Sequence, residues 1–301
     1  MAQVQIIDVS PRDGLQSEHR VLATDIKVEL IRRLAAAGIT ALEATSFVNP
    51  KKVPQMADAV EVVAGVKAAG IDVRQIALAL NLRGCERAIE AGVDEVGFVL
   101  VSTDTFSQRN QGAPVSRSIE IWHEIHARCR TAGVRCNVLI ASAFGCPFEG
   151  EVTADRVLHL ADELLASPPD TFGVADSIGV GVPVQIKAVV APLASTLDTI
   201  PLRVHLHDTR NTGMANALTA IEHGATRIDA STGGIGGCPF APAATGNIAT
   251  EDLVYALQRS DIDCGVSLDK TLETAAWLAE QLGHDVPSSL LRAGDFPKKV
   301  A

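Results

Sequence analysis

Short apolar segments alternate with amphipathic helical segments along most of this 301-residue chain. Five helical segments end at a residue pair whose second member is glycine: Ala37-Gly38, Ala69-Gly70, Ala91-Gly92, Ala132-Gly133 and His223-Gly224. Glycine adopts the left-handed conformation that ends many helices, so each pair predicts a helix end followed by a strand. The irregular spacing excludes a solenoid. Eight strands are predicted, at residues 3–9, 40–45, 73–80, 94–101, 136–142, 171–175, 202–207 and 226–231.

These strands are predicted to be parallel and covered by helices on their outer side. Residues 96–101 are almost continuously apolar, which is typical of a parallel strand buried on both faces. Eight strand–helix units predict a TIM (β/α)8 barrel, and a doubly wound open sheet is the alternative. Thr24 and Thr153 are predicted to cap the helices that follow them.

The chain shows no linker that would divide it, so residues 1–301 are predicted to form a single catalytic domain. The barrel is expected at about residues 3–245. Two additional helices are predicted after the eighth strand, at residues 248–260 and 269–283, followed by a less regular tail from Pro287.

Composition and charge narrow the functional class. With 47% apolar and 21% charged residues, the chain has the composition of an ordinary globular protein. Its formal net charge of −10 argues against nucleic acid or an anionic membrane as a partner. The absence of a signal segment and of a long apolar run predicts a cytoplasmic protein. Six cysteines without a CxxC pair are expected to be small buried side chains, with Cys238 as the exception.

Polar residues at the carboxyl ends of predicted strands indicate a metal site, because these ends form the active face of such barrels. His205 and His207 are two residues apart in one strand, so both imidazoles point to the same side. Asp13 lies just past the first strand. One carboxylate with two imidazoles suits Mg²⁺ or Mn²⁺. The alternative is that each histidine forms an ordinary hydrogen bond in the core.

Three further charged residues lie near predicted strand ends. Arg12 would stabilise a developing oxyanion, or else form a salt bridge within a turn. Glu43, near the end of the second strand, could orient Arg12. Asp176 follows the sixth strand, and either acid could instead be a cap or turn residue.

A glycine-rich loop with the sequence GGIGGCPF occupies residues 233–240, after the eighth strand. It does not match a dinucleotide or phosphate-binding glycine motif, and we interpret it as a mobile lid carrying Cys238. A nearby cation or metal would lower the pKa of that thiol. Asn247 could cap the following helix, but Thr250 would serve equally well and would leave Asn247 free to bind a metal.

Together these segments resemble the hydroxymethylglutaryl-CoA lyase family, which belongs to the metal-dependent carbon–carbon lyases and Claisen-type synthases. The resemblance covers about residues 4–260. It rests on residues 11–16 (PRDGLQ), 43–48 (EATSFV), 53–56 (VPQM), 145–147 (GCP), 205–209 (HLHDT), 236–240 (GGCPF) and 246–252 (GNIATED). The cysteine loop is the most specific of these motifs, because the synthases share the others in part.

The resemblance implies a role for each matching residue. It implies the metal ligands Asp13, His205, His207 and Asn247, the oxyanion-stabilising Arg12, the acid/base Cys238, and the supporting acids Glu43 and Asp176. The implied reaction is retro-Claisen cleavage of a 3-hydroxy-3-methylglutaryl-CoA-like thioester to acetyl-CoA and acetoacetate or a related ketone. A homodimer is also implied.

The substrate is less sharply defined than the reaction. Leu139 and Ser142 stand where the family motif has tyrosine and cysteine, so a different 3-hydroxyacyl-CoA is an alternative substrate. Lys51, Lys52 and Arg109 are expected to receive the phosphates of coenzyme A, unless they are solvated loop charges. A Claisen-type synthase acting on acyl-CoA and a 2-oxo acid is a competing hypothesis, and so is a non-catalytic metal-binding barrel.

Overall fold

Eight parallel strands form a closed barrel in the computed structural model, which describes residues 4–238 and 241–296. Each strand pairs with the next in chain order, and the last pairs with the first from Gln5–Arg227 to Asp8–Ala230. This closure confirms the predicted TIM barrel and rules out the open sheet. The strands are β1 (Gln5–Asp8), β2 (Ala41–Ser46), β3 (Arg74–Leu78), β4 (Glu95–Val101), β5 (Arg135–Ala141), β6 (Thr171–Asp176), β7 (Leu202–Leu206) and β8 (Arg227–Ala230).

Helices cover the outside of the barrel and continue beyond it. Those between the strands are α1 (Thr24–Ala37), α2 (Ala59–Ala68), α3 (Leu82–Ala91), α4 (Asp104–Gln111), α5 (Val115–Ala132), α6 (Ala154–Leu165), α7 (Pro183–Leu197) and α8 (Gly213–Glu222). After β8 come a hairpin of β9 (Gly237–Cys238) and β10 (Ala241–Thr245), then α9 (Thr250–Arg259), α10 (Leu268–Leu282) and α11 (Ser289–Ala293). The hairpin and α11 were not expected from the sequence. No helix within the described residues is long and apolar enough to cross a bilayer.

Helix ends follow the predicted chemistry with two exceptions, and one of them is Thr250, which is the first residue of α9 and donates its hydroxyl to Asp8 instead of capping the helix. Gly38 has φ +104° and ends α1, and a Cβ there would clash with the carbonyl oxygen of Gly265, so glycine is required. Thr153 caps α6 by accepting the Arg156 N–H. The predicted cap at Thr24 is wrong, because Thr24 is already helical and its hydroxyl donates to Asp58 at 2.7 Å.

Alternation along the strands divides the side chains between two environments. In β7, Val204 and Leu206 are fully buried in the main core, whereas Arg203 and His205 line the cavity inside the barrel. The interior of this barrel is therefore strongly polar on its β7 side.

Four cysteines are buried as expected, Cys85, Cys129, Cys136 and Cys146, but Cys264 is only half-buried.

Candidate active site at the barrel mouth

Two imidazoles and a carboxylate converge at the carboxyl end of the barrel. Asp13, His205 and His207 each offer a ligand atom, and these atoms lie within 4.8 Å of one another. The Nε2 atoms of the two histidines are 3.1 Å apart. The period-two spacing in β7 produces this pairing, and Asp13 reaches it from a short helical turn, Ser10–Gly14, that follows β1. The predicted convergence of these three residues is present in the structure.

Asn247 joins the same cluster. Its backbone forms an antiparallel bridge with His207, and its Nδ2 donates to Asp13 Oδ2 at 2.9 Å and to the Ile235 carbonyl at 3.0 Å. It does not cap α9, which begins at Thr250. The structure therefore brings all four predicted metal-binding residues together.

The four donors fit a divalent cation. Asn247 Oδ1 is enclosed and has no hydrogen-bond partner among the described residues, an arrangement that a bound ion would relieve. Burial and the neighbouring His205 lower the pKa of His207 to about 4, so its imidazole is neutral and able to ligate at pH 7. Burial alone would raise the pKa of Asp13, but Arg12 and the two histidines lower it to about 2. A carboxylate, neutral imidazole and an amide oxygen suit Mg²⁺ or Mn²⁺.

Arg12 lies beside this cluster between two carboxylates. Its NH1 donates to Asp13 Oδ1 and its Nε donates to Glu43 Oε2, each at 2.6 Å. Burial disfavours the charged guanidinium, but Glu43 and Asp13 outweigh it and raise the pKa of Arg12. A fully charged guanidinium is thus held rigidly within the cavity, with Glu43 in the orienting position expected from the sequence.

A buried pair that the sequence reading missed lies below the histidines. Nδ1 of His205 is 3.0 Å from Asp229 Oδ2, which favours the proton on Nδ1 and leaves Nε2 free to ligate. Arg203 donates to Asp229 Oδ1 at 2.6 Å and to Glu43 Oε1 at 2.6 Å. Arg203 and His205 are two residues apart in β7, so the period-two argument already made for the histidines would have found the arginine.

Asp176 has a different environment from the other predicted acids. Its carboxylate accepts the backbone N–H groups of Val180 at 3.0 Å and Gly181 at 2.8 Å. These bonds agree with the alternative, stated for the sequence, that Asp176 is a turn residue. Asp176 therefore shapes the loop after β6, and it does not belong to the group of contacts around Arg12.

The glycine-rich loop passes directly over the metal-binding cluster. Gly236 has φ +120°, and a Cβ there would clash with Asn247 Nδ2, so only glycine allows this close approach. Cys238 lies in β9, next in the chain to Gly237, which lines the cavity. The side chain of Cys238 and residues 239–240 lie outside the described part of the chain.

Two buried carboxylates hold the start of this loop. Asp8 accepts hydrogen bonds from the hydroxyls of Ser10 at 2.5 Å, Thr232 at 2.8 Å and Thr250 at 2.7 Å. Both oxygens of Glu251 accept the Gly233 N–H, at 3.1 and 3.2 Å. The turn carrying Arg12 and Asp13, the loop and α9 are thus tied together beneath the site.

Glu251 predicts a measurable pH dependence of stability. Burial raises its pKa from 4.5 to about 7, so its contribution to stability is complete below pH 4.5 and is lost as the pH rises towards 7. Glu251→Gln mimics the protonated acid and should unfold at higher urea than the wild type at pH 8, with a gain of about 3 kcal/mol that is absent at pH 4.5. The exposed Glu273→Gln is the control. A gain of equal size at both pH values would contradict the buried-acid interpretation.

A large cavity leads from the metal-binding cluster to the surface. Its volume is about 1080 Å³, and both Lys52 and Arg109 line it. Arg109 lies on α4 with its guanidinium carbon 4.3 Å from the ring centre of Phe148. Lys51 is exposed and does not line the cavity. Three basic side chains were expected to bind the phosphates of coenzyme A. Two of them therefore line the cavity, where they can contact a ligand.

The sequence of this chain is similar to those of known lyases. The sequence matches the HMGL-like family over residues 3–278. The chain belongs to the HMGL-like family. Hydroxymethylglutaryl-CoA lyase YngG of Bacillus subtilis is 36% identical, with 96% of this chain and 97% of that protein aligned. The (R)-citramalyl-CoA lyase of Chloroflexus aurantiacus is 38% identical, with 100% and 98% aligned.

Solved structures of HMGL-like proteins have the same architecture. An HMG-CoA lyase from Acinetobacter baumannii, in complex with coenzyme A and 3-methylmalate, has a TM-score of 0.94 and 37% identity, covering 99% of this chain and 97% of that one. HMG-CoA lyase from Bacillus subtilis has a TM-score of 0.92 and 36% identity, covering 97% and 98%. The family resemblance recognised in the motifs is confirmed.

Proposed function

We propose that this chain is a divalent-metal-dependent lyase that cleaves a 3-hydroxy-3-methylglutaryl-CoA-like thioester to acetyl-CoA and acetoacetate or a related ketone. The observation that carries the proposal is the convergence of Asp13, His205, His207 and Asn247 at the mouth of the barrel, beside a large cavity, in an HMGL-like chain. A non-catalytic barrel would not need enclosed donor atoms beside a paired, permanently charged guanidinium.

The reaction needs a base, a means of holding negative charge and an acid. A bound divalent ion would supply Lewis-acid polarisation of the substrate oxygens, and Mg²⁺ and Mn²⁺ are the ions we propose. Arg12 is positioned by Glu43 and Asp13 to donate to the thioester oxygen while the acetyl-CoA enolate forms. Because those two carboxylates already fix the guanidinium, little reorganisation is needed when charge develops.

We assign the acid/base role to Cys238, whose thiolate would accept the proton of the tertiary hydroxyl and whose thiol would then return a proton to the enolate carbon. Breaking the carbon–carbon bond leaves an enolate carbon that must receive a proton, and positioned acid catalysis typically contributes about 10²–10⁴-fold. Cys238 follows Gly236 and Gly237, which line the cavity, so its chain position supports delivery of a proton at the mouth. Arg12 would also favour the thiolate after transfer.

A second candidate substrate is (R)-citramalyl-CoA, the substrate in the printed name of the Chloroflexus relative. Hydroxymethylglutaryl-CoA and citramalyl-CoA both carry a methyl group on the tertiary alcohol carbon, and they release acetoacetate and pyruvate respectively. The cavity wall beside β4 and β5 is formed by Val99, Val101, Leu139 and Ala141, which suits that methyl group. This apolar wall accommodates the methyl group of hydroxymethylglutaryl-CoA and that of citramalyl-CoA equally well.

Coenzyme A is proposed to lie along the outer part of the cavity, with its phosphates near Lys52 and Arg109. Lys52→Ala should raise the Michaelis constant for the acyl-CoA severalfold and leave kcat nearly unchanged, because a contact to a coenzyme A phosphate stabilises the bound substrate and the transition state equally. Lys51→Ala is a matched control that removes an equal charge one residue away, outside the cavity lining. Steady-state kinetics with both variants test this, and equal effects of the two changes would contradict it.

A homodimer and a cytoplasmic location complete the proposal. Size-exclusion chromatography with light scattering measures the first, and fractionation of the native host measures the second.

The proposed activity is tested by product analysis. The purified protein is incubated with Mg²⁺ or Mn²⁺ and hydroxymethylglutaryl-CoA, (R)-citramalyl-CoA or further 3-hydroxyacyl-CoAs, and acetyl-CoA and the ketone are quantified. Equal amounts of the two products, formed only with metal, support the lyase. Condensation of acetyl-CoA with 2-oxo acids instead of cleavage would show the synthase, and neither reaction would leave the metal-binding barrel as the better account.

A further inference from the structure

The amino end of the barrel interior carries an excess of positive charge. Six residues at the amino ends of the strands point into the barrel, at the opposite end from His207. They are Gln5, Arg74, Glu95, Arg135, Thr171 and Arg227. Alternation places Glu95, Arg135 and Arg227 on the same face as residues two positions later in their strands that line the large cavity, namely Gly97, Asn137 and Asp229. Three guanidinium groups therefore share this layer with one carboxylate.

The carboxylate of Glu95 already contacts three side chains. Glu95 Oε2 lies 3.4 Å from Nε of Arg74 and 3.4 Å from Nε of Arg135, and Glu95 Oε1 accepts from Asn137 Nδ2 at 2.6 Å. Arg135 also reaches Asp170, at 3.9 Å. Nε of Arg74 is enclosed but makes no hydrogen bond to any described residue. Glu95 carries one negative charge, so it balances only one of the three guanidinium charges.

Arg227 is the guanidinium of this layer that forms no ion-pair contact with Glu95. Within the described chain it forms no ion pair, and its one hydrogen bond goes to the hydroxyl of Thr171. Burial and the charges of Arg74 and Arg135 outweigh the opposing charge of Glu95 and lower the pKa of Arg227 to about 10, so it is still a cation at pH 7. A partly buried, unpaired guanidinium is unfavourable unless an anion lies beside it.

Arg227 borders a second cavity, separate from the site at the barrel mouth. This cavity has a volume of about 380 Å³ and is lined by residues that include Gln5, Thr40, Pro201, Thr226, Arg227 and Gly265. The Thr40 hydroxyl accepts from Gln5 Nε2 at 2.9 Å and can still donate its own proton to a ligand. The volume is within the range of small-molecule sites, and the lining combines a cation with hydroxyl and amide groups.

We propose that this second cavity is a binding site for a small oxyanion, inorganic phosphate or the phosphate or carboxylate group of a small metabolite, held mainly by Arg227. A guanidinium presents parallel N–H donors that match two oxygens of such an anion. The anion neutralises the charge that Glu95 leaves unbalanced. This site is distinct from the lyase chemistry and does not depend on it.

The test compares thermal unfolding in phosphate, acetate and chloride at equal ionic strength, with divalent ions removed. For the full-length protein, phosphate or acetate should raise the unfolding midpoint by about 4 °C over chloride at a hundredfold excess over the dissociation constant. Phosphate above acetate indicates a phosphate ligand, and the reverse indicates a carboxylate ligand. Titration calorimetry with the better anion should give one site per chain.

Variants decide where the anion binds. Arg227→Gln should fold, because it removes an unpaired cation, and it should lose the anion-induced shift. Arg117→Gln removes an equal charge from the exposed side of α5 and should keep the full shift. Arg135→Gln removes one positive charge from the amino end of the barrel interior, so it should bind the anion severalfold more weakly. An unchanged shift in Arg227→Gln, or no shift in the wild type, would overturn the proposal.

Discussion

His205→Ala is expected to lose bound metal and lyase turnover together. The change removes one imidazole ligand and leaves Asp229 with only Arg203 as its partner. Loss of an outer partner of a metal ligand typically costs 10–100-fold in affinity, and loss of the ligand should cost more than about 100-fold. Equilibrium dialysis with Mn²⁺ gives the affinity, and initial rates at saturating thioester give the turnover.

Cys238→Ser is the matched comparison for that variant. It should retain Mn²⁺ affinity while turnover falls by about 10²–10⁴-fold, because the acid is replaced but the four donors are untouched. Equal loss of metal in the two variants would contradict the separation between a metal-binding cluster and an acid/base on the loop. Retention of full Mn²⁺ affinity in His205→Ala would show that the ion binds elsewhere.

Arg12→Gln should reduce kcat by about 10²–10³-fold, the typical cost of losing one group that stabilises a developing oxyanion. Metal affinity should be kept or slightly improved, since Asp13 would no longer share its charge with the guanidinium. Glu43 would still be paired with Arg203, so the barrel interior should remain folded. The measurements are kcat, Mn²⁺ affinity and the circular dichroism spectrum of the variant.

Arg12→Lys separates charge from geometry. It restores a cation but cannot donate to Glu43 and Asp13 in the same forked arrangement. We expect it to recover part of the lost turnover. A kcat within threefold of the wild type in Arg12→Gln would remove the oxyanion role from the account.

The sequence predicted those structural features that depend on residues close together in the chain. The two-residue period of β7 predicts the facing of His205 and His207, and the glycine at Gly38 predicts the end of α1, because both depend on neighbouring backbone geometry. Closure of the barrel followed from counting eight strand–helix units. The motif resemblance then placed Asn247 beside them.

Contacts between distant parts of the chain were not predictable in this way. Asp229 meets His205 across 24 residues, and Asp8 meets Thr250 across 242 residues. Neither acid lies in a motif with a recognisable spacing, so nothing local distinguishes it from a surface carboxylate. The helix α11 was missed for the same reason, since Asp252, 38 positions earlier, accepts the Leu290 N–H at its start.

The account as a whole depends on one divalent ion bound by Asp13, His205, His207 and Asn247. Crystals of the wild-type protein grown with Mn²⁺, with diffraction data collected at the manganese absorption edge, test this most directly. We predict one anomalous peak per chain, in contact with one donor atom from each of the four residues. A protein that cleaves its thioester while its manganese peak lies elsewhere, or is absent, would contradict the account.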